Sequence, residues 1–357
     1  MKKISILSFF SGSGFLDLGF ENNGFEVTYV NEYFAPFLDA YKYSREQLNI
    51  KKPRYEYFCG SIEECLNGSE TAKIMKIIEL ERKAESLVGF IGGPPCPDFS
   101  IAGKNKGGEG ENGKLSKTYF ELICKAKPDF FIFENVKGLW KTAKHRAFYE
   151  DIKLMLIENN YAITDSVVNS LSYGVAQDRE RIFLFGVNKK LLKNQCISEF
   201  IWQQNNNQLD KKFPPNNLTI QYWFNKNDVN NHPNSKHFFK PRAALPKFIE
   251  IKEGDVSKKS FKRLSRYKWS PTAAYGNNEV HIHPTEPRRI SVAEALSIQS
   301  LPKEFCLPSE MTLTNMFKTI GNGVPYLMAS GIAISIKSFL DGLSYENNSS
   351  KLSKSNK

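Results

Sequence analysis

The sequence predicts an α/β protein with a mostly parallel, three-layer sheet and a second, smaller, loop-rich module. Three observations carry that reading. From Ile4 to Val187, strand-like apolar runs alternate with stretches of helical periodicity, the pattern of βα units around a parallel sheet. The first such run ends in the glycine-rich turn Ser11-Gly12-Ser13-Gly14, which opens a helix. After Val187 the periodicity weakens, and Asn, Lys, Pro and aromatic residues take over.

Ile4 to Phe10 is β-branched and aromatic, and Phe15 to Phe20 has helical spacing. A strand, a glycine turn and a helix together present backbone N–H groups to a ligand. Phe25 to Val30 reads as the second strand, with Glu32 at its end. A carboxylate there is placed to accept hydrogen bonds from ribose hydroxyls. Ala72 to Leu87 reads as a charged helix, and Leu87 to Ile91 as a buried strand that stops at Gly92-Gly93-Pro94-Pro95. Two prolines cannot continue a helix or a central strand, so Cys96 falls in a loop past a strand end. By itself Cys96 is equally a small apolar residue or a reactive thiol.

Gly103 to Gly110 is polar and glycine-rich, a candidate for a loop that closes over substrate. Leu115 to Ala126 is helical, and Phe130 to Phe133 is a fully buried strand that delivers Glu134. A carboxyl group directly after four apolar residues is desolvated, which raises its pKa. Thr142 to Asn160 is an amphipathic helix and Tyr161 to Asn169 a strand. Arg179 and Arg181 then alternate onto one face of the strand leading into Ile182 to Val187. They could clamp an anion there or remain solvated.

The chain has 357 residues, 41% hydrophobic and 24% charged, ordinary for a soluble globular protein. A formal charge of +11 is not ordinary and points to a polyanion, most simply nucleic acid. Six cysteines without a CxxC pair or a His-Cys cluster favour reduced thiols and no metal site. The Met1-Lys2-Lys3 start runs straight into a strand, and no run long enough to span a membrane is expected. The reading is a cytoplasmic protein.

Between Val256 and Asn278 there is no acid, while Lys258, Lys259, Lys262, Arg263, Arg266 and Lys268 are interleaved with Phe261, Tyr267 and Trp269. That mixture suits phosphate contact plus base stacking. Beyond it, Ser291 is a plausible N-cap for a helix reaching Gln299. Thr319 to Pro325 reads as a second glycine-rich turn before the apolar helix Tyr326 to Leu340, and a disordered tail is expected from Ser344.

Taken in order, these segments resemble the DNA cytosine-5 methyltransferase family. Phe10-Ser11-Gly12-Ser13-Gly14 is similar to its cofactor turn and Asn31-Glu32 to its ribose-binding acid. Gly92 to Cys96 with Phe99-Ser100 looks like its nucleophile loop. Glu134-Asn135-Val136 matches its catalytic tripeptide, and Gln177-x-Arg179-Glu180-Arg181 its Gln-x-Arg-x-Arg. Arg288 to Pro302 and Gly321-Asn322-Gly323-Val324-Pro325 resemble its last two motifs. Phe15 stands where the turn has a third glycine, Ser61 where an adenine-contacting Asp is usual, and Pro97 where Gln is usual.

The resemblance implies a Rossmann-like S-adenosylmethionine-dependent methyltransferase sheet over residues 1–187, completed by 316–343. A smaller target-recognition domain would occupy 188–315, with 344–357 as tail. It implies Cys96, Glu134, Arg179 and Arg181 as catalytic residues. Phe10, Gly12, Gly14, Glu32, Tyr33, Ser61, Ile62, Pro94, Leu115 and Asn322 would line the S-adenosyl-L-methionine site. The implied partner is duplex DNA, acted on by a monomer that guards against a cognate restriction endonuclease. A tRNA cytosine-5 methyltransferase, a non-catalytic DNA-binding relative and a Rossmann dehydrogenase are the alternatives. The missing Cys-Phe-Thr motif, the intact Cys96, Glu134 and Arg181, and the Pro-Pro-Cys loop with its basic module argue against them in turn.

Overall fold

The computed structural model describes residues 2–95, 111–193, 195–203, 210, 214–258, 260–272, 275 and 280–352, without the side chains of 111–112, 141, 144, 242 and 344–352. Cys96, Pro97, the Gly103 to Gly110 loop and Lys259 lie outside the described residues. The strands are β1 (Ile4–Phe9), β2 (Glu26–Glu32), β3 (Glu56–Cys59), β4 (Leu87–Gly92), β5 (Phe130–Val136), β6 (Tyr161–Asn169), the two-residue β7 (Gln177–Asp178) and β8 (Glu180–Asn188). All but β7 form one sheet in the order β3-β2-β1-β4-β5-β8-β6. The first five pair in parallel, while β8 runs antiparallel to both β5 and β6.

Helices α1 (Phe15–Glu21), α2 (Ala35–Gln47), α3 (Ile62–Asn67), α4 (Thr71–Lys83), α5 (Glu111–Ala126), α6 (Gly138–Lys141) and α7 (Ala143–Glu158) connect the strands up to β6. Alternation along each strand decides which layer a residue joins. Leu7, Phe9, Val88, Phe90, Phe131 and Phe133 face α4, α5 and α7, packing on Ile74, Ile77, Phe120 and Ile152. Ile4, Ile6, Ile91, Phe130 and Ile132 face the other way, onto Leu16 and Phe20 of α1.

Later in the chain come α8 (Lys189–Leu192), α9 (Ile220–Lys226), α10 (Leu245–Glu250), α11 (Val292–Ile298), α12 (Leu313–Asn322) and α13 (Tyr326–Leu352). Ser291 caps α11 as expected, accepting from the Glu294 N–H at 3.2 Å while Glu294 accepts from Ser291 N–H at 2.7 Å. Three expectations change here. Helix α12 continues through Gly321 and Asn322, so the second glycine-rich turn shrinks to Gly323-Val324-Pro325. Helix α13 runs on to Leu352, where disorder was the expectation from Ser344. The stretch Leu313–Leu343 does reach membrane-spanning length, with an 18-residue window of mean hydropathy 1.3. Its apolar residues Met328, Ile332, Ile336 and Leu340 are buried in the layer that covers the second sheet face, which accounts for the apolar composition.

A third core joins Phe15 and Leu18 of α1 to Ile220, Phe224, Leu264, Ile290, Leu296 and Phe317. The later segment also docks through β7, which pairs with Ser270–Pro271. Thr272 Oγ1 donates to Asp178 O. The module after Val187 is therefore tied to the same strand ends that carry Arg179 and Arg181.

Candidate active site

Strand order reverses at β1, which lies between β2 and β4. Loops leaving the carboxyl ends of β1 and β4 diverge there, and such a switch point is where open α/β sheets bind ligands. Gly12 and Ser13 from the first loop, Gly93 from the second, and Thr319, Asn322 and Gly323 from α12 and its end line an open cleft.

The glycine turn is held from three sides. Gly12 and Gly14 have φ of +56° and +80°, a region that favours glycine. Glu32 lies at the end of β2. Its Oε2 accepts from Gly12 N–H at 2.8 Å and its Oε1 from Phe34 N–H at 2.9 Å. Burial raises the Glu32 pKa, against the pull of those amides. The Tyr33 N–H also donates to this carboxylate, but its two oxygens have about four acceptor sites, so Glu32 can brace the turn and still accept a hydroxyl. The Ser13 and Thr319 hydroxyls meet at 2.7 Å, tying the turn to α12. Tyr33 is 73% exposed beside it.

Two departures from the family pattern have structural reasons. The Phe15 ring fills the space over Gly323, where a Cβ would come within 2.3 Å of it. Ser61 Oγ accepts from Glu63 N–H at 3.2 Å and caps α3. Ile62 is buried and packs in the core on this face of the sheet. Pro94 is buried and Leu115 half-buried. Phe10 adopts φ of +53° and sets its ring edge-on to Tyr119 at 6.1 Å. Asn322 is exposed at the cleft.

Glu134 is paired with Phe183 of β8, and Val136 with Arg181. This register brings Arg181 Nε to 3.1 Å from Glu134 Oε1. Burial raises the Glu134 pKa, the direction expected from its place after Phe133, although Arg181 and Arg179 oppose it. A Cβ on Gly93 would stand 2.9 Å from Glu134 Oε2. Only glycine lets the turn before Cys96 approach the carboxyl so closely. The described chain stops at Pro95, and Cys96 lies beyond it.

Arg179 and Arg181 do not form a two-arginine clamp. Arg179 is fully buried, and its Nη1 and Nη2 donate to the Gly321 and Asn322 carbonyls at 2.9 and 3.3 Å. Arg179 lies between β7 and β8 and ties that point to the end of α12, while Arg181 is ion-paired with Glu134 and Arg179 adds its positive charge nearby. Arg179 falls between the two strands and Arg181 within β8, so they are not successive same-face residues of one strand.

The basic module also sorts into two groups. Arg263 is a correction: it is 5% exposed, donating to the carbonyls of Phe248, His283 and Glu286. A guanidinium committed to backbone carbonyls inside a core is not available to DNA phosphates. Phe261 packs beside it on Phe248. Arg266 is forked onto Glu253, with 3.1 Å contacts to both carboxylate oxygens. Lys258 and Lys268 are exposed, Lys262 is half-buried, and Tyr267 is 65% exposed.

Two features of the site had no sequence signal. One is the Ser13–Thr319 bridge across 306 residues. The other is a buried charged cluster of Asp17, Glu21, Tyr41 and Arg45 behind the glycine turn. Nothing in their spacing separates these residues from ordinary helix-surface groups.

The family model for C-5 cytosine-specific DNA methylase matches residues 4–338. The chain is 56% identical over 358 residues to the type II methyltransferase M.NmeDI of Neisseria meningitidis serogroup C, covering 95% of this chain and 85% of that one. It is 30% identical to the type II methyltransferase M.FnuDI of Fusobacterium nucleatum, covering 94% and 95%. A crystal structure from E. coli, described as a prophage-encoded DNA modification methyltransferase, shares the fold. Its TM-score is 0.69 at 21% identity, over 95% of this chain and 100% of that one. The protein belongs to the C-5 cytosine-specific DNA methylase family.

Proposed function

We propose that this chain methylates C5 of a cytosine flipped out of duplex DNA at a specific sequence, and so protects that DNA from a cognate restriction endonuclease. The observation that carries the reading is Glu134, buried, ion-paired with Arg181, and pressed against the Gly93 turn that leads to Cys96. A relative described as a type II methyltransferase, at 56% identity, supports the modification role. We read it as a monomer that works in the cytoplasm, where its DNA substrate lies.

Cytosine C5 is a poor nucleophile, so the ring needs covalent activation. Cys96 as thiolate adds to C6, and Glu134 in its neutral form donates a proton to N3. Burial of Glu134 enlarges the neutral fraction near neutral pH. Arg181 lies where it can hold the cytosine carbonyl and keep Glu134 oriented. When bound, S-adenosyl-L-methionine supplies an electrophilic sulfonium methyl. Glu32, the Gly12 and Gly14 turn, Tyr33 and Asn322 would hold it, and the open cleft with Glu32's spare lone pairs fits a ribose-bearing ligand. The C5 proton passes to water as the Cys96 thiolate leaves C6, and N3 returns its proton to Glu134, which completes the cycle.

Flipping the base costs a few kcal/mol, which Lys258, Lys268 and Tyr267 help to offset by gripping the strands. Residues 1–187 with 316–343 serve as the catalytic unit, and 188–315 as the unit that reads DNA.

The test is Cys96→Ser with duplex DNA and labelled cofactor, alongside bisulfite sequencing of a methylation-free host expressing the parent protein. Expected are loss of transfer in the variant and methylated cytosines at one sequence in the host. Transfer that survives Cys96→Ser, or that prefers tRNA to duplex DNA, overturns the proposal.

A further inference from the structure

Behind the glycine turn lies a group of buried polar side chains that the proposed reaction does not use. Ser8 comes from β1, Asp17 and Glu21 from α1, and Tyr41 and Arg45 from α2. Ser8 Oγ and Tyr41 OH each donate to Asp17 at 2.9 Å. Arg45, 2% exposed, lies over the Tyr41 ring with its guanidinium carbon 4.2 Å from the centroid. Its Nη2 donates to Glu21 Oε2 at 2.9 Å and to the Gly14 carbonyl at 2.8 Å.

Ionisable groups are expensive to bury, at several kcal/mol each before pairing. Two nitrogens of Arg45, Nε and Nη1, have no hydrogen-bond partner among the described residues. An apolar set of similar volume would pack this space at lower cost. The charged set adds one thing that an apolar set cannot, a strong donor aimed at a single backbone carbonyl.

That carbonyl belongs to Gly14, the left-handed residue at the end of the cofactor turn. It also accepts the first helical bond of α1, from Leu18 N–H at 3.0 Å. Both of its lone pairs are thus engaged. Because a trans peptide holds its C=O and N–H in opposite directions, fixing Gly14 O also fixes the Phe15 N–H, which points away from Arg45. Phe15 and Ser13, the residues on either side, both line the cleft.

We infer that Arg45 is a positioning residue for the cofactor turn. Buried between Glu21 and the Asp17–Tyr41 pair, it orients the Gly14–Phe15 peptide for binding S-adenosyl-L-methionine. The inference rests on the proposed function. Asp17, pushed up to about 6 by burial, is the softest member of the cluster, and the Tyr41 hydroxyl keeps it aligned.

The test uses the full-length protein and S-adenosylhomocysteine, titrated calorimetrically so that no turnover is needed, with Arg45→Met, Arg45→Lys and Tyr41→Phe. Steady-state methylation of duplex DNA supplies kcat and both KM values. Arg45→Met is expected to raise the cofactor Kd about 10-fold, which corresponds to roughly 1.4 kcal/mol. Arg45→Lys, which keeps the charge, should recover most of that loss. Tyr41→Phe should weaken binding about 3-fold, since it removes one hydroxyl from the support of Asp17. KM for DNA and kcat at saturating cofactor should stay at the parent values. A purely structural role would lower the active fraction, and so kcat, without changing Kd. Parent-like Kd in folded Arg45→Met overturns the inference. If Arg45→Met does not fold, Tyr41→Phe decides, and a parent-like Kd there overturns the inference. A parent protein that binds no S-adenosyl compound overturns the functional reading itself.

Discussion

A carboxyl group set after four buried apolar residues meets the cost of charge in a dry place. In Glu134 that cost is larger than the relief from Arg181 and Arg179, so the pKa is raised. The consequence for stability has a definite sign. With the folded-state pKa above the unfolded value, the native chain holds a proton that the unfolded chain releases. Stability is then fully present below the unfolded pKa and falls as pH climbs through the raised one. Glu134→Gln removes that loss, so its melting temperature relative to the parent should be more favourable at pH 8 than at pH 5, as scanning calorimetry would show. The same change should lower kcat about 10²–10⁴-fold, the usual weight of a general acid. A Glu134→Gln enzyme with parental kcat would remove Glu134 from the chemistry. That Glu134 is desolvated was readable from Phe130 to Phe133 alone. That Arg181 is ion-paired with Glu134 while Arg179 bonds the end of α12 was not, because the partner carbonyl of Arg179 comes from 142 residues away.

At the scale of elements, the glycine turn and α1 act as one unit braced by Glu32, Thr319 and Arg45. A Cβ on Gly14 would fall 2.6 Å from both Arg45 Nη1 and the Tyr41 ring, in a backbone region already unfavourable for alanine. Gly14→Ala is therefore expected to cost about 1–3 kcal/mol, measured by chemical denaturation, and to weaken cofactor binding in parallel. Phe15 marks a departure from a third glycine, and its ring packs edge-on to Phe305 at 5.1 Å as well as over Gly323. Phe15→Ala should cost about 3–5 kcal/mol, as large-to-small changes in a core do. Gly323→Ala alone should also destabilise, by overpacking. The double variant should be more stable than the sum of the two predicts, since each change makes room for the other. Strict additivity in a denaturant series would show that the two do not share that space.

For the whole molecule, the net charge of +11 is a statement about partners, and the fold decides which cations can deliver it. Lys258 and Lys268 are exposed, whereas Arg263 is buried on backbone carbonyls. Replacing Lys258 and Lys268 by Gln should reduce the slope of log affinity against log salt by about 0.9 for each DNA phosphate that is no longer neutralised, with little change in melting temperature. Arg263→Met should do the reverse. It should destabilise the fold by about 3–5 kcal/mol by leaving buried groups unpaired, and leave the salt slope of the folded protein unchanged. Fluorescence anisotropy over a salt series, paired with thermal melts, separates the two. A steep salt effect from Arg263→Met would return it to the DNA interface.

Strands β1, β2, β4, β5, β6 and β8, the glycine turn, the acid at the end of β2 and the carboxyl after β5 were legible in the sequence itself, whereas α2, β3 and α3 were not. Each legible feature is a local matter: apolar periodicity, breakers and the residue next to them act within a few positions. The family followed from seven such blocks in register. Tertiary structure alone decided that Arg181 is ion-paired with Glu134, which basic residues remain free for DNA, and that Arg45 stands behind Gly14. Those outcomes depend on contacts between segments far apart in the chain. Burial and hydrogen-bond partners at such contacts are set by packing geometry, and residue type and spacing do not encode them.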